Sequence, residues 1–269
     1  MMELLSIPFV QKALIGGIIL AILLSLLSLF IVVKNWSFIS VGISHATFGG
    51  LALGLYLGIN PTVVGFLFAV LVGILIGYIS KNSNLKEDVS IGILFSFSMA
   101  VGLILIMKTS NYTADLFAFL FGDILTITDF DIKLLVGFTI FVCIYLFLFF
   151  DKLLFCCFDE EVAYTTGINT SFYYYSLIVI IAIATVLSVK LVGVILASAM
   201  IILPASFASL FFWHYKKILI FGSLTSVVMI IVGIFISYYL DFPPGAFIVS
   251  LYSAVFMLAL FIKKVLLSR

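Results

Sequence analysis

Charge is what this sequence has least of. Only 9% of its 269 residues are Asp, Glu, Lys or Arg, against about 25% in an ordinary soluble domain. With 65% hydrophobic residues and a mean hydropathy of +1.41, too few polar side chains remain to cover a globule in water. Cysteine is scarce as well. Cys143, Cys156 and Cys157 form no CxxC pair and no plausible disulfide framework. There is no P-loop, so no nucleotide site is expected, and no basic stripe or motif for nucleic acid. Nothing pairs a nucleophile with a base, and no HExxH or paired-Asp motif lies inside an apolar run, which argues against an enzyme. The opening "MMELLSIPFVQK" lacks the basic n-region and the small-residue cleavage site of a signal peptide, so the first apolar run is expected to be retained.

What is present is a series of apolar runs, each long enough to cross a membrane as a helix of roughly 20 residues. Spans are predicted near 14–33, 38–58, 61–80, 90–108, 131–151, 171–189, 191–212, 218–239 and 244–262. The fold class is therefore all-α and polytopic, a single transmembrane domain over 1–269 embedded in the lipid bilayer. The segment 114–128, "ADLFAFLFGDILTIT", is apolar but short and carries Asp115 and Asp123. It reads as a re-entrant or an interfacial helix. With the N-terminus outside, Lys34, Lys81, Lys86, Lys152, Lys216, Lys217, Lys263, Lys264 and Arg269 face the cytoplasm, and Lys12, Lys108, Lys133 and Lys190 face out. The excess of inner basic residues favours this topology, with a cytoplasmic C-terminus.

Small residues recur every four positions in the first four spans. The sets are Ala13–Gly17–Ala21–Ser25, Gly42–Ala46–Gly50–Gly54–Gly58, Gly65–Ala69–Gly73–Gly77 and Gly92–Ser96–Ala100. In lipid, close approach through such residues does much of the work of helix association, so each set is expected to form a packing groove. Pro204 should kink the seventh span near 200–204.

Two histidines are present. His214 sits beside Lys216 and Lys217 at a membrane edge and reads as a solvated interfacial residue. His45 lies well inside the second span, where an ionisable group is rare and tends to face the bundle or a water path. It lies about 100° round the helix from the Gly42–Ala46–Gly50 line. It reads either as a metal contact or as a residue hydrogen-bonded to a neighbouring helix. The loop 158–171 is the most polar stretch assigned to the cytoplasm. Asp159 is a good N-cap, Glu160 and Glu161 suit the first turn, and Gly167 suits the C′ position. A helix of about two turns is marginal alone, so a partner protein is one expected support and an ordinary inter-helix turn is the other reading. Asp241, Pro243, Pro244 and Gly245 form a rigid outer turn into the last span.

Several of these stretches, in order along nearly the whole chain, resemble the permease subunits of zinc and manganese ABC importers, the ABC-3 family. "SVGISHATFGGLALG" resembles the family's Ser-His-Ala signature, and "FLFGDILTIT" its Leu-Phe-Gly-Asp segment. "FDEEVAYTTGI", "KLVGVILASAMIILPASFASLF" and "DFPPGAFIV" resemble its cytoplasmic loop, its Ile-Pro-Ala segment and its Asp-x-Pro-x-Gly turn. The resemblance implies a vitamin B12-importer-like (type II ABC importer) permease of about nine transmembrane helices plus one re-entrant helix, in a bacterial cytoplasmic (inner) membrane. It implies a pair of permeases, usually a homodimer, over two cytoplasmic ATP-binding subunits that hydrolyse ATP. It also implies an extracytoplasmic metal-binding protein that delivers the ion, with no permanently bound cofactor.

By the same resemblance, His45 and Asp123 touch the metal in transit, and Asp159, Glu160, Glu161, Ala163 and Gly167 belong to a helix that docks on the ATPase. One position departs from the pattern. Many relatives carry an Asp one turn before the motif histidine, and here that position is Val41. Imidazole without carboxylate leans toward zinc, whereas carboxylate and water suit manganese. Manganese or iron import by the same fold is the alternative. A stand-alone secondary metal transporter fits less well, because it would need several ionisable groups within its spans.

Overall fold

Lipid offers no hydrogen bonds to exposed backbone, so a chain this apolar satisfies its N–H and C=O groups within helices. The computed structural model describes residues 8–83, 85–109 and 127–267, and the regular structure among them is helical. The helices are α1 (Pro8–Lys34), α2 (Ile39–Leu57), α3 (Pro61–Ser83), α4 (Glu87–Lys108), α5 (Asp129–Phe158), α6 (Glu160–Thr165), α7 (Thr170–Met200), α8 (Leu203–Ser209), α9 (Tyr215–Leu240) and α10 (Pro244–Leu267). They divide between two compact units. One holds the described residues of Met1–Val32, Gly122–Val142 and Leu191–Arg269, and the other those of Val33–Phe121 and Cys143–Lys190.

Eight helical stretches among the described residues are long and apolar enough to cross a membrane, where the sequence predicts nine spans. The difference lies in Thr170–Ser209, a stretch of 40 residues. At 1.5 Å per residue it measures about 60 Å, twice the hydrocarbon thickness. It is broken at Gly193, whose φ of 81° and ψ of 168° are not helical. The expected boundary at Lys190 therefore falls at Gly193 instead, because positive φ strains any residue with a Cβ.

In the unit containing α2, that helix lies between α3 and α4. A Cβ on Gly42 would sit 2.5 Å from the Ile91 side chain of α4, and one on Gly49 would sit 2.6 Å from the Ser98 carbonyl oxygen. On the other side, a Cβ on Gly50 would lie 2.8 Å from Gly65 Cα, and one on Gly54 would lie 2.7 Å from Pro61 Cα, both on α3. The expected single groove is thus shared between two neighbours. A four-residue step turns about 400°, so the line drifts by about 40° per step and passes from α4 to α3. Gly65, Gly73 and Gly77 carry α3 against α2 and the first part of α7.

Two parts of the expected pattern are corrected. Gly58 packs against nothing within 4 Å; it stands just past the end of α2 at φ 68°, where its N–H bonds the Leu55 carbonyl and the Ile59 N–H bonds that of Gly54. It is a cap glycine. Gly92, Ser96 and Ala100 lie on the exposed face of α4, and Gly92 has no neighbour within 4 Å. Within the chain, α4 presents Ile91, Leu94 and Ser98 inward instead.

In the other unit, Ala13, Gly17, Ala21 and Ser25 of α1 are all buried, as the spacing predicts. Ser25 Oγ meets Ser223 Oγ of α9 at 2.7 Å. The expected kink at Pro204 takes the form of a full break: α7 ends at Met200 and α8 opens at Leu203 with Pro204 in its first turn. Ser28 of α1 covers this break. Its hydroxyl accepts from the Ala205 N–H at 3.0 Å and donates to the Ile202 carbonyl at 3.3 Å. A Cβ on Gly222 would approach the Pro204 carbonyl oxygen to 3.0 Å, so α9 rides close on α8. Gly245, at the start of α10, lies against Val192, and near the end of α10 Lys263 Nζ donates to the Leu210 carbonyl. Residues 192–210 therefore accompany α10 from one end to the other, a rise of about 27 Å. They form a crossing of their own, though not as one unbroken helix.

These contacts separate two glycines of the same apparent pattern. Gly50→Val should destabilise the purified chain by about 1–3 kcal/mol, the usual cost of overpacking. Gly92→Ala should leave it unchanged or slightly more stable, because Ala favours helix and the space is open. Thermal unfolding in detergent distinguishes them; equal losses would show that packing does not differ along these two lines.

Candidate functional site

Two features concentrate what polar chemistry this chain has, and both lie in the unit that contains α2. The first is α6. Asp159 opens it in extended conformation, and its Oδ1 accepts from the Val162 N–H at 3.0 Å, as expected of an N-cap. Gly167 closes it at φ 83°. The Gly167 N–H bonds the Tyr164 carbonyl at 3.0 Å and the Ile168 N–H bonds that of Ala163 at 3.2 Å, the paired bonds of a Schellman stop. Six residues carry too little helix to stand alone, and the support comes from the chain itself. Glu160 Oε1 pairs with Lys81 Nζ at the end of α3 at 2.7 Å, and its Oε2 with Lys34 Nζ at the end of α1 at 3.6 Å. Lys81 also donates to Ser171 Oγ and stands 4.6 Å from the centre of the Tyr174 ring. Tyr174 in turn meets the Trp36 indole edge-on at 5.4 Å. Lys34, Trp36, Cys156, Cys157, Glu160 and Tyr174 line a small cavity beneath α6.

This anchoring decides which side of α6 is free. Ala163 is fully buried, whereas Tyr164 is 72% exposed, and Phe158, Glu161 and Val162 are also exposed. Of the five residues expected at a docking surface, Ala163 faces its own chain and Glu160 is held by two lysines; Glu161 is open. An arginine at Ala163 would therefore disturb the seating of α6 before it reached any partner. The outward apolar side chains, Phe158, Val162 and Tyr164, are not evident from the loop's polarity. The signal for the Glu160 clamp was present in the two lysines assigned to the same membrane side.

The second feature is His45. It lies about a third of the way along α2, half-buried, with its ring edge-on to Phe95 of α4 at 4.9 Å between centres. Its Nδ1 is buried without a hydrogen-bond partner among the described residues. A buried polar atom left so is uncommon and asks for an explanation. The hydrogen bond to a neighbouring helix, the bland expectation for this residue, is not what the geometry offers at that nitrogen. Among the described residues no group of three or more His, Cys, Asp or Glu side chains is placed to hold a metal ion. Asp123 and nearly all of segment 114–128 lie outside the described residues.

The remaining expected positions are architectural. His214 is exposed at the N-cap of α9, where Nδ1 accepts from the Lys216 N–H at 3.3 Å. Asp241 caps the far end of α9 in left-handed conformation, φ 58°, and Pro243 and Pro244 lead into α10. At the first turn of α1, Lys12 pairs with Asp129 of α5 at 2.8 Å, an ion pair not foreseen from the sequence.

Comparison with known proteins places this arrangement. Residues 6–263 match the model of the ABC 3 transport family. The manganese import system permease protein ScaB of Streptococcus gordonii is 35% identical over 254 residues, covering 94% of this chain and 91% of that protein. The chelated iron transport system membrane protein YfeD of Yersinia pestis is 33% identical, covering 94% and 85%. The solved structure of PsaBC from Streptococcus pneumoniae in complex with Fab superposes with a TM-score of 0.82 at 33% identity, covering 96% of this chain and 93% of that one. With a family match across nearly its whole length and a shared type II importer fold, the chain belongs to the ABC 3 transport family and is a membrane permease of a metal ABC importer.

Proposed function

We propose that this chain forms the transmembrane path of a manganese importer, in which His45 touches the ion as it passes and α6 receives the ATPase. The observation that carries the site is the buried, unpartnered His45 Nδ1 two turns into a membrane helix. A neutral imidazole nitrogen is a good ligand for a first-row divalent metal. With valine one turn away at position 41, the site supplies little besides that nitrogen, and weak binding suits an ion that must leave again. Asp123 remains a second contact on the family resemblance alone. Manganese is favoured as cargo by the name of the relative from Streptococcus gordonii; the Yersinia pestis relative is named for chelated iron. Zinc is the second reading, favoured by imidazole in the absence of a neighbouring carboxylate.

On this reading two copies of the chain pair over two cytoplasmic ATP-binding subunits, and a soluble metal-binding protein delivers the ion to the outer face. The N-terminus lies outside and α6 in the cytoplasm. The excess of lysines on that side and the gathering of Lys34, Lys81 and Glu160 at one end support this orientation.

His45→Ala should lower metal uptake by about tenfold or more, the scale on which lost metal contacts register, with complex assembly unchanged. Uptake of labelled manganese by reconstituted transporter, with zinc and ferrous iron as competitors, reads both the role and the cargo. Normal transport by the variant removes His45 from the path, and preferential zinc uptake reverses the choice of metal.

For α6, Val162→Asp with Tyr164→Asp should abolish co-purification of the ATP-binding subunit while the chain still folds. Glu160→Gln should leave that surface in place but loosen its seat by about 1 kcal/mol, since the pairs are partly exposed. Faster hydrogen exchange over 158–168 measures the second effect. Retained ATPase binding by the double aspartate variant would show that α6 is only a turn.

A further inference from the structure

A different surface, in the other unit, points to a ligand that metal transport does not require. From Leu191 to the end of the chain the sequence holds a single acid, Asp241, at the far end of α9. Near the opposite end of that helix lie Lys216 and Lys217, and antiparallel to them the last turns of α10 bring Lys263 and Lys264. The two groups share one edge because Lys263 Nζ donates to the carbonyl of Leu210, five residues before α9 begins. None of the four lysines is in an ion pair among the described residues, and the unit's other described acids are engaged elsewhere, Asp129 with Lys12 and Asp131 with Thr128. Three residues before Lys216 stands Trp213, 97% exposed, in the loop that joins α8 to α9. On the membrane side of the same edge, Ile220, Phe261 and Ile262 are exposed.

We propose that this edge is a binding site for the headgroup of an anionic phospholipid, with the phosphate among Lys216, Lys217 and Lys264 and the acyl chains along Ile220, Phe261 and Ile262. The occupant follows from having both kinds of surface side by side. Between Lys217 and Lys263 the only charged residue is Asp241, at the far turn, and the stretches on either side of it are long enough to span the hydrocarbon, so the lysines lie at headgroup depth. An exposed tryptophan prefers that depth, with its ring in the acyl boundary and its N–H in water. Lys216 and Lys217 stand over the rings of Tyr215 and Phe212 but have no counter-ion among the described residues, and ammonium groups there gain from a negatively charged headgroup. A soluble acidic partner would match the lysines and leave the exposed apolar side chains unexplained.

The test uses the assembled transporter in nanodiscs of equal parts phosphatidylcholine and phosphatidylglycerol, with native mass spectrometry of the lipid retained on the protein. Wild type should retain phosphatidylglycerol in excess of its share. The triple variant Lys216→Gln, Lys217→Gln and Lys264→Gln should lose that excess, by about a hundredfold in relative retention if each lysine contributes as surface lysines do. The matching Lys→Arg triple variant should keep it, because charge and not ammonium geometry is recognised. Lys263 is left intact in both, so that its bond to Leu210 still holds the edge together. Equal retention of the two lipids by wild type, or an unchanged excess in the glutamine variant, overturns the proposal. Loss of the ATP-binding subunit with lipid retention unchanged overturns it too, and assigns the edge to that subunit.

Discussion

Close backbone approach is the constraint on which the rest of this protein rests. In water, burial of apolar side chains would pull helices together; between lipid tails that drive is nearly absent. What remains is contact, and contact is strongest where no Cβ intervenes. Along α2 this is met on two sides, at Gly42 and Gly49 against α4 and at Gly50 and Gly54 against α3. The arrangement leaves little choice about which way the helix is turned. His45 is carried by that rotation to the face beside Phe95, so the candidate transit residue owes its position to glycines that do no chemistry themselves.

Several of the polar groups in this scaffold are matched across helices. Ser25 and Ser223 satisfy one another, and Ser28 covers the backbone opened before Pro204. Glu160 is shared by two lysines from two helices. Seen this way, α6 is no loose connector. Its N-cap, its glycine stop and the Glu160 pairs hold a six-residue helix in one pose, and that pose turns Val162 and Tyr164 outward. A movement imposed on α6 by a docked partner would pull on the ends of α1 and α3 through a single carboxylate. The His45 nitrogen is unmatched among the described residues, and so are Trp36 Nε1, the Tyr174 hydroxyl and the hydroxyls of Ser90, Ser98 and Ser198; of these, the imidazole nitrogen is the one suited to hold a metal ion.

Much of this was legible in the sequence. Helix number and approximate ends follow from the apolar runs, since each must span a fixed thickness. Asp159 and Gly167 were readable as cap and stop because their side chains, or lack of one, suit only those backbone positions. The family motifs identified His45 and the α6 loop as the places to look. Less legible were features that depend on which face of a helix meets which neighbour. A strict four-residue repeat predicts one groove, but its drift round the helix splits it between two partners on α2, and Gly92, Ser96 and Ala100 lie on an open face of α4.

The sequence by itself determined the solvent, the helical class and the family, because these depend on composition, on run length and on short motifs that are local. The tertiary structure alone decided that the 170–209 stretch breaks at Gly193, that Gly58 is a cap, that Glu160 bridges Lys34 and Lys81, and that Ala163 points inward while Tyr164 points out. It also decided that Lys263, near the end of α10, bonds the Leu210 carbonyl shortly before α9 begins. The physical reason is the same in each case. Helices that are apolar all round carry no hydrophobic face to read, so their rotation and partners are set by close packing between residues far apart in the chain.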